Sequence, residues 1–255
     1  MLKIGLGILV VGFVGAGACD KNPAGPSASY PALTAVTQTA HYTVRAAPGD
    51  SIDVAWQDQY FDWVTKTLEL DPSPRLEYLK YRDRAHLKAI TGRDTNGFAE
   101  PGTPRFHTIW PTDNHEGVHT LVILQIGHPP ALFNEGVAVA HQMDPSRGLF
   151  VPRWSGTEVH QLAKTYDASN QLPPLSSLLR STNFFEFDTN VTYPCAGSFV
   201  RYLIDTYGLA RFKAYVRSAS FDDSAPTTEA RFEAAYARTL ASAWEEWRAW
   251  LRSAR

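Results

Sequence analysis

Between His41 and Trp110 the apolar positions alternate in short stretches. "HYTVRAA", "RLEYLKY" and "RFHTIWP" each read as strands. Between them, "IDVAWQDQYFDWVTKTLEL" places Ile52, Ala55, Trp56, Tyr60, Trp63, Val64 and Leu68 at helical spacing, and "RDRAHLKAITG" reads as a short helix closed by Gly92. From Ser155 onward the pattern is helical only, through "GTEVHQLAKTY", "PPLSSLLRS", "CAGSFVRYLIDTYG", "ARFKAYVRSA", "TEARFEAAYARTL" and "ASAWEEWRAWLRS". The last segment puts Trp244, Trp247, Trp250 and Leu251 on one broad face, a spacing that indicates core packing. The predicted fold class is α+β: a small mixed or antiparallel sheet with helices, followed by an all-helical C-terminal lobe.

The N-terminus departs from both periods. Lys3 precedes an unbroken apolar run from Ile4 to Val14, and Ala16, Gly17 and Ala18 lead to Cys19. This is the pattern of a signal peptide, and the run is shorter than the roughly 20 residues of a membrane span. The small residues before Cys19 resemble the bacterial lipobox, with Ala16 where Leu is usual. That resemblance implies cleavage before Cys19, lipidation of its thiol, and an exported, membrane-anchored place in the bacterial cell envelope; secretion with a free Cys19 is the alternative. Residues 1–18 are then signal peptide and 19–40, rich in Pro, Ser, Ala, Gly and Thr, a flexible tether. Residues 41–255 form the folded domain, with a mixed sheet and helix lobe over 41–150 and a helical lobe over 151–255. With Cys19 acylated, Cys195 has no partner, so packing alone must stabilise the domain. A formal net charge of -2 gives no electrostatic reason to expect a nucleic-acid partner.

The chemistry lies between the two lobes, in "NHEGVHTLVILQIGHPPALFNEGVAVAHQ". His115 and His119, four residues apart, lie about 40° apart around a helix axis and one turn apart along it, so both imidazoles can face one ion. Glu116 sits beside that face, in reach of a water on the metal. Thr112, Asp113 and Asn114 offer N-cap side chains, and Gly127 ends the helix. Gly117 costs the helix about 0.8–1 kcal/mol relative to Ala, which a close approach of backbone or substrate would explain. For this composition an accidental H-E-x-x-H is roughly a 1% event, so chance is a poor account of it.

A catalytic zinc site needs a third protein ligand and an open position. Glu135 is the leading candidate: "HPP" breaks the chain, Pro130 can start a second helix, and the fifteen residues between His119 and Glu135 allow that helix to return antiparallel. His128, Glu100, Asp113 and His141 are the other candidates, with His128 in the turn and His141 past the point of closest approach. Those two, and His41, His86, His107 and His160, read better as surface or structurally hydrogen-bonded histidines.

"HEGVH" followed by "NEGVA" resembles the gluzincin metallopeptidases, in which H-E-x-x-H is followed on the next helix by a glutamate ligand. The flanks, "LEYLKYRDRAHLKAITG", "NGFAEPGTPRFHTIW", "YPCAGSFVRYLIDTYG" and "ASAWEEWRAWLRS", are similar to the bacterial peptidase-MA-like group of that clan. The resemblance covers roughly residues 41–255. It implies a zincin-like fold, one Zn²⁺ on His115, His119 and Glu135, Glu116 as general base, and Tyr193 as donor to the oxyanion; Tyr193 also reads as a tyrosine simply packed at a helix N-terminus. It further implies a peptide or protein substrate, and an extended one could add to a sheet edge for which "RFHTIW" is the candidate strand. Where the thermolysin-type pattern has an acidic residue that orients a ligand histidine, this chain has Val139, so ring support is expected from Asp113 or a backbone carbonyl. The alternative is a catalytically silent envelope binding lipoprotein of the same fold. A purely structural zinc site is a poor match, because such sites usually use four ligands with cysteine.

Overall fold

The computed structural model describes Tyr30 and residues 32–253; the signal-peptide and Cys19 readings fall outside the described residues. The chain is α+β. Strands β1 (Ala35–Gln38), β2 (Tyr42–Ala46), β3 (Leu76–Lys80), β4 (Gly97–Ala99) and β5 (Arg105–Thr108) form one sheet in the order β1-β2-β3-β5-β4. β2, β3 and β5 run parallel, and the edge strands β1 and β4 are antiparallel to their neighbours. Three of these strands are the ones the alternation predicts.

Two are not, and each corrects an expectation. β1 lies inside residues 19–40, which composition assigns to the tether; its register with β2, from Ala35 opposite Ala46 to Gln38 opposite Thr43, supplies order that four mostly exposed residues do not announce. β4, only three residues long, takes the sheet edge and leaves "RFHTIW" as an inner strand between β3 and β4. The strand at this edge of the sheet is therefore β4 and not β5.

Helices α1 (Val54–Thr67) and α2 (Arg84–Thr91) start where Asp53 and Asp83 accept the N–H groups of Trp56 and His86. Gly92 closes α2 at φ 77°, a left-handed conformation that favours glycine. Helices α3 (Glu116–Gln125) and α4 (Ala131–Ala140) make the central hairpin. A two-strand ribbon, β6 (Arg153–Trp154) with β7 (Thr157–Glu158), interrupts the region expected to be helical throughout. Then come α5 (Val159–Ala168), α6 (Leu175–Leu178), α7 (Ser181–Phe184), α8 (Thr189–Tyr207), α9 (Leu209–Ser218), α10 (Ala225–Tyr236) and α11 (Leu240–Ser253).

One hydrophobic core runs through both halves. Tyr42 and Tyr78 of the sheet, Phe61 of α1, Val118 of α3, Phe133 of α4, Phe199 of α8 and Trp247 of α11 belong to the same cluster, so no break in packing accompanies the composition change near residue 150. A smaller core of Leu33, Leu79, Tyr81, Leu87 and Phe98 covers the other side of the sheet. Trp244, Trp247 and Leu251 are buried as the α11 spacing predicts, whereas Trp250 is 37% exposed and packs edge-on to His160.

All ten residues of α4 are buried, and glycines let α8 approach it. A Cβ on Gly136 would lie 2.5 Å from Val200 Cγ2 and 2.8 Å from the Ala196 carbonyl oxygen. Gly117 is different: a Cβ there would meet only the Phe106 ring, at 3.9 Å. Among the described residues no backbone therefore approaches Gly117 closely. Gly136→Ala is expected to destabilise by about 1–3 kcal/mol through overpacking, and Gly117→Ala to be neutral or stabilising by up to about 1 kcal/mol. Urea unfolding of the two variants checks the opposite signs.

Candidate metal centre

The entry to α3 is fixed before its histidines are placed. Asp113 Oδ1 accepts the backbone N–H groups of His115 at 3.0 Å, Glu116 at 2.7 Å and Gly117 at 3.3 Å. This meets three of the donors that a helix start leaves unsatisfied. Asp113 is itself gripped by buried Gln57, whose amide donates to the Asp113 carbonyl and accepts its N–H, both at 2.8 Å. The Tyr60 hydroxyl lies 3.0 Å from the Asn114 carbonyl oxygen and 2.6 Å from that of His141, tying the start of α3 to the end of α4. Sequence reasoning missed Gln57 and gave Tyr60 only a packing role; both act through contacts more than fifty residues away.

Within this frame His115, His119 and Glu135 converge. Their Nε2 atoms lie 3.2 Å apart, and each lies 3.2 Å from Glu135 Oε2. Zinc–ligand bonds of about 2.0–2.1 Å in a tetrahedron give ligand–ligand edges of about 3.3–3.4 Å, so the triangle matches three corners of such a site. Hydrogen bonds account for it less well. Protons on both Nε2 atoms would satisfy the carboxylate but set two N–H groups against each other. A cation among the three satisfies every edge.

The electrostatics agree. Glu135 is 3% exposed on a helix with no exposed residue. Burial by itself would raise its carboxyl, yet the His119 and His115 rings hold it well below the usual carboxylate range. Burial would lower His115, but the hydrogen bond to Glu135 and the Glu116 and Glu135 charges push it up to about 9. Desolvation pushes Glu116 up to about 7 against the opposing pull of His115 and His119. Glu135, Glu116 and Asp113 thus favour positive charge on His115.

The other candidate ligands have different work. Glu100 accepts from Tyr30 at 2.6 Å and pairs with His107 at 2.7 Å and Arg105 at 3.2 Å; burial raises its carboxyl, but these partners outweigh it and hold it at about 2. His141 Nδ1 pairs with the Val137 carbonyl, and His128 stacks on Phe221. Asp113 caps the helix and does not orient a ring, contrary to the expectation for it. His115 Nδ1 and His119 Nδ1 are buried without a hydrogen-bond partner among the described residues, so no backbone carbonyl takes that part either. Packing holds the rings: His119 meets His115 edge-on at 4.7 Å, and Tyr193 stacks on His115 at 6.0 Å with 20° between planes. The place of the acidic residue is taken by Val139, fully buried where Gly197 of α8 comes close.

Glu116 and Tyr193 line one cleft of about 540 Å³ with the three converging side chains. Gly97 of β4 backs Glu116: a Cβ there would lie 2.8 Å from Glu116 Oε1 and 2.9 Å from the His107 carbonyl oxygen. No sequence signal marks Gly97, because the contact joins a strand edge to a helix nineteen residues on. Comparison of the chain with protein-family models gives no match, and comparison with curated proteins gives none.

Proposed function

We propose that this protein is a zinc-dependent peptidase in which His115, His119 and Glu135 hold one zinc ion. The observation that carries the reading is the 3.2 Å triangle of donor atoms, two imidazoles and one carboxylate, at the floor of an open cleft. When bound there, zinc supplies a Lewis acid for a carbonyl oxygen and lowers the pKa of a water to about 7. Glu116, beside the ligands but outside their cluster, accepts the proton of the attacking water and delivers it to the amine as the C–N bond breaks. Tyr193, against His115 at the cleft wall, is the donor for the developing oxyanion.

The β4 edge offers a place for an extended substrate. Phe98 pairs with His107 of β5, and Gly97, next along the strand, turns its N–H and C=O the other way. The Thr95 hydroxyl covers both, donating to the Gly97 carbonyl at 2.9 Å and lying 3.4 Å from its nitrogen. A substrate strand would take over those two bonds. Gly97→Ala, which crowds Glu116, is expected to lower kcat about 10–100-fold with zinc content unchanged, since small misplacements at the reacting bond are costly. Steady-state kinetics beside metal analysis checks this.

On the sequence reading, Cys19 tethers this cleft to a membrane of the bacterial envelope. Among the described residues no helix is long and apolar enough to cross a membrane. The test of the function uses the purified full chain: one zinc per molecule, peptide hydrolysis abolished by a chelator and restored by zinc. Zinc retained without hydrolysis of any peptide would favour the silent binding protein in a metal-bound form, and failure to bind zinc would remove the peptidase and leave only a metal-free binding protein.

A further inference from the structure

We infer, resting on the peptidase reading above, that the cleft takes an internal segment of polypeptide with large uncharged side chains beside the scissile bond, and does not hold a chain end. A peptidase that works from an N-terminus needs a carboxylate for the α-ammonium, and one that works from a C-terminus needs a cation for the carboxylate, because an uncompensated charge in a desolvated site is costly.

Among the described residues, every charged group lining this cleft is already committed. Glu135 faces His115 and His119, and Asp113, 2% exposed, spends Oδ1 on three backbone N–H groups. Glu116 stands at the reacting bond. Arg84, the one lysine or arginine along the lining, donates to Asp94 Oδ1 at 2.6 Å and to the Asp94 carbonyl at 2.8 Å. Neither end of a peptide finds an open counter-charge.

The rest of the wall is aromatic and neutral. Trp110 lines the cleft while 50% exposed, a large apolar surface left in water. Trp154 of the β6–β7 ribbon lies 5.0 Å from the Tyr193 ring, which itself stacks on His115, so an aromatic row leads outward from the donor cluster. Covering such rings with a substrate side chain recovers apolar burial that a charged side chain cannot supply. Asn96 and Gln142, whose Oε1 is buried without a hydrogen-bond partner among the described residues, offer uncharged amides suited to a substrate backbone, whereas Asn114 donates to the Met143 carbonyl and Asn190 bonds to Asp188 and Trp154.

The test uses the full chain loaded with zinc and three probe sets: internally quenched decapeptides blocked as N-acetyl and C-amide with Phe or Leu at the central bond, the same peptides with Asp or Lys there, and aminoacyl-coumarins with a free α-amine. The expected result is kcat/KM for the blocked apolar peptides at least about 100-fold above the coumarins and about 10–200-fold above the charged peptides, the range a hydrophobic pocket supports. In Trp110→Ala and Trp154→Ala, separately, the apolar preference should narrow about fivefold or more. Zinc-dependent cleavage that requires a free α-amine, or that prefers charged flanks, would overturn this inference and leave the peptidase standing. A zinc-loaded chain that cleaves none of the three sets would overturn the peptidase reading as well.

Discussion

Glu116→Gln is expected to lower peptide hydrolysis by about 10²–10⁴-fold while keeping one zinc per chain. The two halves of that result come from different atoms. Zinc retention follows because the Glu116 carboxylate lies outside the triangle of His115, His119 and Glu135, which the exchange leaves intact. Loss of rate follows because an amide cannot take a proton from water at neutral pH. Glutamine has nearly the shape of glutamate, so the tight contact with Gly97 is preserved and the variant should fold as the parent does. Kinetics and elemental analysis on one preparation read both halves, and full activity in Glu116→Gln would sink the mechanism.

Glu135→Gln is expected to act on the metal itself, weakening zinc binding by more than the roughly 10–100-fold that loss of an outer contact costs. The carboxylate sits in a helix whose ten residues are all buried, where its charge is tolerated because positive charge faces it. Removing that charge leaves two imidazoles to hold a dication unaided. Wild-type protein should gain about 4 kcal/mol of stability with free zinc at 1,000 times its Kd, and Glu135→Gln at the same zinc concentration should gain far less. Melting with and without added zinc measures the difference, and an equal gain in both proteins would remove Glu135 from the ligand set.

Much of this architecture is legible in the residues. Asp83 and Gly92 delimit α2, the four-residue step from His115 to His119 gives the facing imidazoles, and Pro130 starts the returning helix that carries Glu135. What escapes the sequence is set by the partners a segment meets, near or far along the chain, and not by its own pattern of residues. β1 is four mostly exposed residues, ordered by pairing with β2; β4 is three residues beginning with glycine, ordered by β5. Pro194 makes α8 look as though it starts at Cys195, whereas it starts at Thr189, where Asp188 caps it. Gln57, which grips the segment before α3, looks in sequence like one more polar position on α1. Val139 reads as a missing acid until Gly197 is seen to bring a helix close against it.

The shortness of β4 bears on life in a crowd. An open sheet edge pairs with any unfolded segment that reaches it, and long flat edges seed aggregation. Here the edge is three residues long, and the hydroxyl of Thr95 already occupies the outward groups of Gly97. A passing chain can gain only a couple of hydrogen bonds and must displace a local one to do so. Engagement is therefore brief unless the cleft below also captures side chains, so this surface can meet many neighbours without becoming stuck to them.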